Sequence, residues 1–267
     1  MKERPSFPAR LDFSVGKPKA SRPVSGGVAH GAGAARQAVR QPAGAPSQGH
    51  GMDSSAVRMN MVQKLAGQGI TDALVLSAMG AIERHRFVDS ALVNQAYEDT
   101  SLPIGLGQTI SKPGVVSRMA ELLRNGASGR LGRVLEIGTG CGYQAAVLSL
   151  LADEVYSIER LRGLHDKARE NLRHLRLANL HLLFGDGMAG YAKGAPYAAI
   201  IAAAGGEAVP QAWVDQLAVG GRLVAPVSAG TGSSGKQALM VIDKTAQGLR
   251  QTVLEAVHFV PLKSGVA

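Results

Sequence analysis

The chain has 267 residues, of which 45% are hydrophobic and 18% charged, a composition that excludes wholesale disorder because a sizeable core can form. The single cysteine excludes a disulfide scaffold and a cysteine-ligated zinc site, and no apolar run approaches the roughly 20 residues of a membrane helix. The formal net charge is +9, but residues 1–51 carry +6 of it, so the rest of the chain is nearly balanced.

The first 51 residues are rich in Pro, Gly, Ala and Ser and show neither a helical nor an alternating apolar period. Such a segment cannot bury enough surface to offset the entropy lost on ordering it. We therefore predict a disordered basic tail over residues 1–51. It lacks the continuous apolar region of a secretory signal, and a weak contact with nucleic acid or a membrane surface is the alternative to simple solvation.

Residues 52–267 are predicted to form one domain, with helices and a substrate loop in 52–130 and a sheet in 131–267. Helices are predicted at Ser55–Ala66 and Asp72–Ile82, the second with Thr71 as its N-cap. The segment Tyr97–Pro113, YEDTSLPIGLGQTISKP, is polar, rich in glycine and without a period. Plain connections are shorter than this, so the segment is predicted to be a functional loop.

Beyond this loop, short apolar runs alternate with helical or loop stretches. The predicted strands are Arg133–Ile137, Val155–Ile158, Leu180–Phe184, Ala198–Ala203, Arg222–Val227 and Ala238–Ile242. Apolar strands that alternate with helices are typical of βαβ units. The sequence therefore predicts an α/β fold of the Rossmann-like kind, a doubly wound and mostly parallel sheet with helices on both faces.

A glycine-rich turn lies between the first of these strands and the helix that follows it. In VLEIGTGCGYQAAVLSLL the strand ends at Ile137, the turn is Gly138-Thr139-Gly140-Cys141-Gly142, and a helix opens at Tyr143. Glycines let the backbone approach a ligand closely, and a helix N-terminus offers free N–H groups. This turn is a candidate binding site for an anionic group.

Two acidic residues follow the next two strands. Glu159 lies at the C-terminal end of the strand in VYSIER (155–160), 17 residues after Gly142, and Asp186 lies in the Gly185-Asp186-Gly187 turn. In doubly wound sheets such strand ends converge on one crevice, and an acid after the second strand is placed to bind ribose hydroxyls. The last glycine of the dinucleotide fingerprint and a GxxxxGKS/T motif are both missing. A nucleoside cofactor without phosphate, S-adenosylmethionine, fits this pattern best.

The motifs EIGTGCGYQAAVL and VYSIER resemble the first two cofactor motifs of class I methyltransferases. The match extends to one family, the protein-L-isoaspartate O-methyltransferases, and covers residues 52–264 but not the tail. Its LPIGxGQTISxP segment is specific to that family. The other matching segments are RHRFV (84–88), AYEDTSLPIGLGQTIS (96–111), GDG (185–187), GGRLVAPV (220–227) and FVPL (259–262).

The resemblance implies S-adenosylmethionine as cofactor and methyl transfer to the free α-carboxylate of L-isoaspartyl residues in damaged proteins and peptides. The methyl ester would cyclise to a succinimide and hydrolyse partly to aspartate, so the enzyme would begin a repair. By resemblance, Ser111 holds the substrate carboxylate and Glu159 holds the ribose. The resemblance also implies that the backbone of Thr109 and Ile110 lines the cofactor site and the peptide site. It implies that four residues of the glycine turn wrap the methionine moiety of the cofactor: Gly138, Thr139, Gly140 and Gly142. Asp186 and Gly187 would contact the adenine.

Ala198 is a departure from the family pattern, which has an aspartate at the start of this strand. We expect altered local packing there more than lost chemistry. Two other readings stay open: a class I methyltransferase with another substrate, and a binding module that has lost turnover. We expect no metal, because the seven histidines show no ligand spacing, and no membrane or specific nucleic-acid partner. A monomer is expected from the domain's balanced charge and the lack of an evident amphipathic interface helix. A cytoplasmic location is expected from the absent secretory signal and the single cysteine.

Overall fold

The computed structural model describes residues 55–229 and 236–267. The predicted tail over residues 1–51 lies outside the described residues. Among the described residues, no helix is long and apolar enough to cross a membrane.

A seven-stranded sheet forms the centre of the domain, in the order β5-β4-β3-β6-β7-β8-β9. Strands β3 to β7 are mutually parallel, whereas β8 and β9 run antiparallel to their neighbours. This topology confirms the predicted mostly parallel sheet. Two further strands, β1 and β2, pair as a separate antiparallel hairpin. The strands are β1 Leu102–Gly105, β2 Gln108–Ile110, β3 Leu131–Ile137, β4 Ala152–Glu159, β5 Leu180–Phe184, β6 Tyr197–Ala202, β7 Leu217–Ser228, β8 Gln237–Thr245 and β9 Gly248–Val257.

Within residues 55–229 and 236–267, six α-helices accompany the sheet, and short 3₁₀ turns join several elements. The helices are α1 Ser55–Gly67, α2 Ala73–Ala81, α3 Pro113–Arg124, α4 Tyr143–Leu151, α5 Arg162–Leu172 and α6 Gln211–Gln216. Helix α5 places Leu164, Ala168 and Leu172 on its buried face, as its 3.6-residue period requires. Separate clusters of buried apolar residues surround the sheet, one of them rich in residues from α1, α2 and α4.

The N-cap of α2 is Asp72, and the prediction of Thr71 was wrong. The Asp72 carboxylate accepts hydrogen bonds from the backbone N–H groups of Leu74 and Val75, at 2.9 and 3.1 Å. Thr71 instead donates from its hydroxyl and its backbone N–H to Glu121 on α3. The Asp72 carboxylate thus binds two backbone N–H groups of the first turn that have no partner within the helix. Thr71 instead connects the start of α2 to α3 through Glu121.

The predicted loop Tyr97–Pro113 is partly regular, because it contains the β1–β2 hairpin. Gly105, Leu106 and Gly107 all have positive φ angles, and they form the tight turn at its tip. The two strands have only four and three residues, too few for a period of two to be recognised in the sequence. Strand β9 was also not predicted, because it is an edge strand whose residues are almost all exposed.

The strand order reverses direction at β3, which lies between β4 and β6. The carboxyl ends of these three parallel strands therefore meet at one edge of the sheet. Such a switch point opens a crevice at which ligands bind in doubly wound folds.

Candidate active site

A cavity of about 260 Å³ opens at this switch point. Its floor is the glycine turn after β3, and the end of β4 forms one side. The β1–β2 hairpin and the segment Val260–Lys263 provide the remaining walls. The residues that line it include Ile104, Leu106, Gln108, Thr109, Ile110, Ser111, Ile137, Gly138, Thr139, Gly140, Gln144, Ile158, Glu159, Gly187, Ala203 and Leu262.

The glycine turn exposes backbone to the cavity. Gly140 has a φ of +57°, a backbone conformation that residues with a side chain rarely adopt. A Cβ at this position would also lie only 3.3 Å from the Ile104 Cδ1 atom of the hairpin. Both the conformation and the lack of space therefore favour glycine here. The turn is fixed to β4, since the backbone N–H groups of Gly138 and Thr139 both donate to the Ile158 carbonyl, at 2.9 and 3.1 Å. At Gly138 and Gly140 a backbone fixed to β4 and without side chains thus faces the ligand space.

Glu159 lies at the carboxyl end of β4 and is only 5% exposed. Its Oε2 atom accepts a hydrogen bond from the Gly140 N–H at 2.9 Å, and its Oε1 atom accepts one from the Leu161 N–H at 2.9 Å. The carboxylate is therefore held in one orientation at the cavity wall. Each oxygen retains a lone pair with which it can accept a ligand hydroxyl.

Two of the predicted site residues lie outside the cavity lining. Asp186 uses both oxygens within the protein, because Oδ1 accepts from the Met188 N–H at 2.8 Å and Oδ2 from the Gly265 N–H at 2.6 Å. Gly142 is the N-cap of α4, where a Cβ would lie 2.7 Å from the Leu172 Cδ1 atom of α5. Asp186 thus holds the turn that carries Gly187, and Gly142 permits close helix packing.

Ser111 lies where the cavity meets a second, more open groove of about 890 Å³. Thr109 lines both spaces as well. The groove runs between the start of α3 and the end of β9, and ion pairs flank it: Lys112 with Asp99 at 3.4 Å and Arg118 with Glu255 at 2.8 Å. The Ser111 hydroxyl forms no hydrogen bond with any residue of the described part of the chain, so it is available to a ligand.

Sequence reasoning missed several cavity residues. The segment Val260–Lys263 is one wall, and its one signal in the sequence was the FVPL motif, which had no role attached to it. Gln144 of α4 and Ala203 after β6 also line the cavity. Lys167 of α5 donates to the Ile104 carbonyl at 2.9 Å and so fixes the hairpin over the cavity. These contacts join distant segments, which a linear pattern does not reveal.

Cys141 lies within the glycine turn and is buried. Burial raises the pKa of its thiol to about 11, so the thiol stays protonated at neutral pH. Burial likewise raises the pKa of the neighbouring Tyr143 to about 12. Nucleophilic catalysis by the cysteine needs a thiolate, and the residue acts as a small packing group in this turn.

The switch-point cavity, the glycine turn after the first parallel strand and the carboxylate after the second define a class I methyltransferase. The sequence profile of the protein-L-isoaspartate(D-aspartate) O-methyltransferase family matches residues 56–267. A protein-L-isoaspartate O-methyltransferase of Methylibium petroleiphilum is 55% identical over 98% of this chain and 96% of its own length. The chain belongs to this family.

Solved structures similar to this chain include methyltransferases of the same family as the sequence relatives. A protein-L-isoaspartate O-methyltransferase is similar with a TM-score of 0.70 and 28% identity, over 78% of this chain and 67% of that one. A Plasmodium falciparum beta-aspartate methyltransferase in complex with S-adenosyl-L-homocysteine has a TM-score of 0.64 at 23% identity, over 77% of this chain and 98% of that one. The second likeness supports the fold.

Proposed function

We propose that the cavity binds S-adenosylmethionine and that the protein transfers the cofactor's methyl group to the free α-carboxylate of L-isoaspartyl residues in damaged proteins and peptides. The observation that carries this proposal is the position of Ser111. Its hydroxyl, which has no hydrogen-bond partner among the described residues, lies at the junction of a cavity sized for a small molecule and a more open groove that can hold a peptide.

The residues of the cavity fit this cofactor. The exposed backbone of Gly138 and Gly140 leaves room for a chain of atoms to pass close to the turn. Glu159 offers fixed carboxylate acceptors suited to two ribose hydroxyls. Gln144 is 8% exposed, lines the cavity, and has no partner for either amide atom among the described residues. A polar ligand that completes these bonds is expected.

The proposed reaction needs no general acid or base from the protein. The cofactor supplies a methyl group that its sulfonium already activates. The substrate carboxylate is ionised at neutral pH, because its pKa is ordinarily near 4, so no general base is needed. Ser111 donates a hydrogen bond to one carboxylate oxygen and thereby orients the other toward the methyl group. The hairpin and the segment Val260–Lys263 exclude water, and alignment of this kind supplies about 7 kcal/mol or more in favourable cases.

The groove beyond Ser111 accommodates the peptide that carries the damaged residue. An isoaspartyl residue continues its chain through the side-chain carbonyl, so its α-carboxylate projects as a free branch. The groove holds the main chain while this branch reaches Ser111. A normal aspartyl residue has no free α-carboxylate, which accounts for discrimination by connectivity. Gly187 faces the adenine end of the cavity in this proposal, and Asp186 supports it from behind.

Two finer expectations belong to this proposal. The protein acts as a monomer, since residues of this one chain form both the cavity and the groove. It acts in the cytoplasm, which is consistent with a single, buried cysteine that forms no disulfide.

The test is transfer of a labelled methyl group from S-adenosylmethionine to two peptides of identical sequence, one with isoaspartate and one with aspartate. We expect alkali-labile label on the isoaspartyl peptide alone. Ser111→Ala should lower kcat/KM about 10- to 100-fold, because a hydrogen bond to a charged group is worth about 1.5–3 kcal/mol, while the cofactor Kd stays unchanged. Ser128→Ala, at an exposed site after α3, is the matched control and should retain full activity.

The two other readings give different results in the same assay. Label on neither peptide, with cofactor binding intact by calorimetry, would contradict the proposal and favour another substrate or a binding module. Equal label on both peptides would show that the groove does not select the isoaspartyl linkage.

A further inference from the structure

Residues 260–267 form a strap along one wall of the switch-point cavity. The strap is anchored first beside the end of β6, where Gly205 and Pro261 form a parallel bridge. The Leu262 N–H donates to the Gly205 carbonyl at 2.8 Å. Leu262 and Lys263 line the cavity directly after this anchor. The first half of the strap is therefore part of the candidate ligand site.

The second half of the strap is anchored after β4 and β5. The Ala267 N–H donates to the Arg160 carbonyl at 2.9 Å, and the Ala267 carbonyl accepts from the Arg162 N–H at 2.7 Å. The Arg160 Nε atom donates to the Gly265 carbonyl at 2.9 Å, and the Gly265 N–H donates to Asp186 Oδ2 at 2.6 Å. Four hydrogen bonds from two strap residues thus make up this second anchor.

The two anchors lie on opposite sides of the glycine turn. Strand β3, which carries that turn, lies between β6 and β4 in the sheet. A strap that is fixed beside β6 at one end and after β4 at the other must pass over the carboxyl end of β3. The span is two strand spacings, about 10 Å, which a few residues can bridge. The strap therefore crosses the place where the cavity opens.

The second anchor depends on hydrogen bonds and not on packing. Lys263 and the four residues after it are all exposed, so opening this half of the strap uncovers little apolar surface. The Arg162 N–H belongs to the first turn of α5, whose N-cap Leu161 has no side-chain oxygen to offer it. The Ala267 carbonyl takes that place. Segments held in this way open at a lower free energy than the core does.

We infer that the strap is a gate for the cofactor: the anchor at Gly265 and Ala267 opens to admit S-adenosylmethionine and to release S-adenosylhomocysteine, while the bridge at Gly205 serves as the hinge. Gly265 and Ala267 are positioning residues, because the cavity lining, among the described residues, extends only to Lys263. The inference rests on the proposed function for the identity of the ligand. It adds that backbone hydrogen bonds outside the cavity set the rate of cofactor exchange.

A gate has a kinetic signature that a ligand contact lacks. When the closed form predominates with and without ligand, weakening the anchor raises the open fraction by the same factor in both states. The association and dissociation rate constants then rise together, and Kd stays the same. Loss of a group that contacts the ligand raises mainly the dissociation rate constant, so Kd rises with it.

The test is stopped-flow measurement of S-adenosylhomocysteine binding to the full chain and to Ala267→Pro, which removes the N–H that donates to the Arg160 carbonyl. We expect both rate constants to rise about threefold to tenfold, the effect of losing one hydrogen bond, with Kd within about twofold of the wild type. The matched control is Val266→Ala, which shortens a side chain that is 53% exposed and keeps the backbone N–H. It should bind and release the ligand at the wild-type rates.

A second variant does not depend on how proline fits at one position. A chain that ends at Lys263 keeps the cavity lining of the strap but loses all four hydrogen bonds of the second anchor, and both rate constants should rise further. Circular dichroism without ligand checks that each variant is folded.

Three results would contradict the gate. A dissociation rate constant that rises alone, with a higher Kd, would mean that the second anchor only supports ligand contacts. Unchanged rate constants in both variants would mean that the ligand passes through the groove beside Ser111 instead. Either result would overturn this inference and leave the proposed function standing. Absence of any binding to the full chain would overturn both.

Discussion

Ala198 lies at the amino end of β6, whereas the cavity lies at the carboxyl end of the same strand. Ala202 is four residues beyond Ala198, which corresponds to about 13 Å along a strand. Val134 and Ala199 are paired in register, so their predecessors Arg133 and Ala198 share the opposite face of the sheet. The Ala198 Cβ atom lies close to Gly132 of β3, where a Cβ would be 3.4 Å from it, and Ala198 is partly exposed. Arg133, whose side chain is 48% exposed, already pairs with Glu154 at 2.9 Å.

We predict that Ala198→Asp leaves kcat/KM for an isoaspartyl peptide within about twofold of the wild type and changes the free energy of unfolding by less than about 1 kcal/mol. The reason is that Ala198 is partly exposed to solvent and the reacting groups are remote, so a substitution there changes little. Steady-state kinetics and urea unfolding check both numbers. An increase in kcat/KM of tenfold or more would instead mean that Ala198 had impaired the site.

Single residues also show what a sequence can and cannot predict about this site. Gly138, Gly140 and Glu159 were predicted because their role depends on position relative to a strand end, and a strand end is visible in the sequence. Gln144 was not, because burial and missing partners are properties of the packed structure. Thr71 was chosen as a cap where Asp72 serves, since both residue types cap helices and the contact with Glu121 that occupies Thr71 comes from a distant helix.

Helices α2 and α3 are joined by a buried ion pair that also caps a helix. The Arg124 side chain, 2% exposed, donates from Nε to Asp72 Oδ2 at 2.7 Å, and it further donates to the carbonyl oxygens of Ala127 and Gly129. The other carboxylate oxygen of Asp72 caps α2. One carboxylate thus fixes the start of α2 and neutralises a guanidinium that water cannot reach.

We predict that Asp72→Ala lowers the free energy of unfolding by about 3–5 kcal/mol, because it removes the cap and leaves the buried Arg124 charge without a partner. Asp72→Asn should cost less, since the amide oxygen can still cap α2. The control is Asp89→Ala, which removes an exposed cap without an ion pair and should cost about 1 kcal/mol. Equal losses in all three variants, measured by urea unfolding, would show that the ion pair contributes nothing.

Some elements of this fold have a hydrophobic pattern that can be recognised in the sequence, and others do not. The parallel strands β3 to β6 each contain a short apolar run, and most residues of β3, β4 and β6 are buried, so these strands were predicted to within a few residues. The hairpin β1–β2 and the edge strand β9 exist because of partners elsewhere in the chain, and their sequences carry little pattern of their own. The hairpin is nonetheless a wall of the cavity, so the element most specific to the function was the one predicted only as a loop.

At the scale of the whole molecule, the cavity is built from segments far apart in the sequence, from the hairpin at Ile104 to the wall at Lys263. A ligand that fills it must therefore stabilise the domain as a unit. Binding to the folded state alone adds about 2.7 kcal/mol at a ligand concentration of 100 Kd. The family profile begins at residue 56, and among the described residues the cavity lining begins at Ile104.

We predict that S-adenosylhomocysteine at 100 Kd raises the Tm by about 5–10 °C, since 1 kcal/mol corresponds to about 2–4 °C for a domain of this size. The rise should be the same in a chain that lacks residues 1–51, because the family profile matches residues 56–267 only. Glu159→Gln should reduce the rise at the same ligand concentration, because the fixed carboxylate acceptors are lost. Scanning calorimetry measures all three proteins. A rise that vanished on deletion of residues 1–51 would place part of the binding site in that segment and contradict a self-sufficient domain.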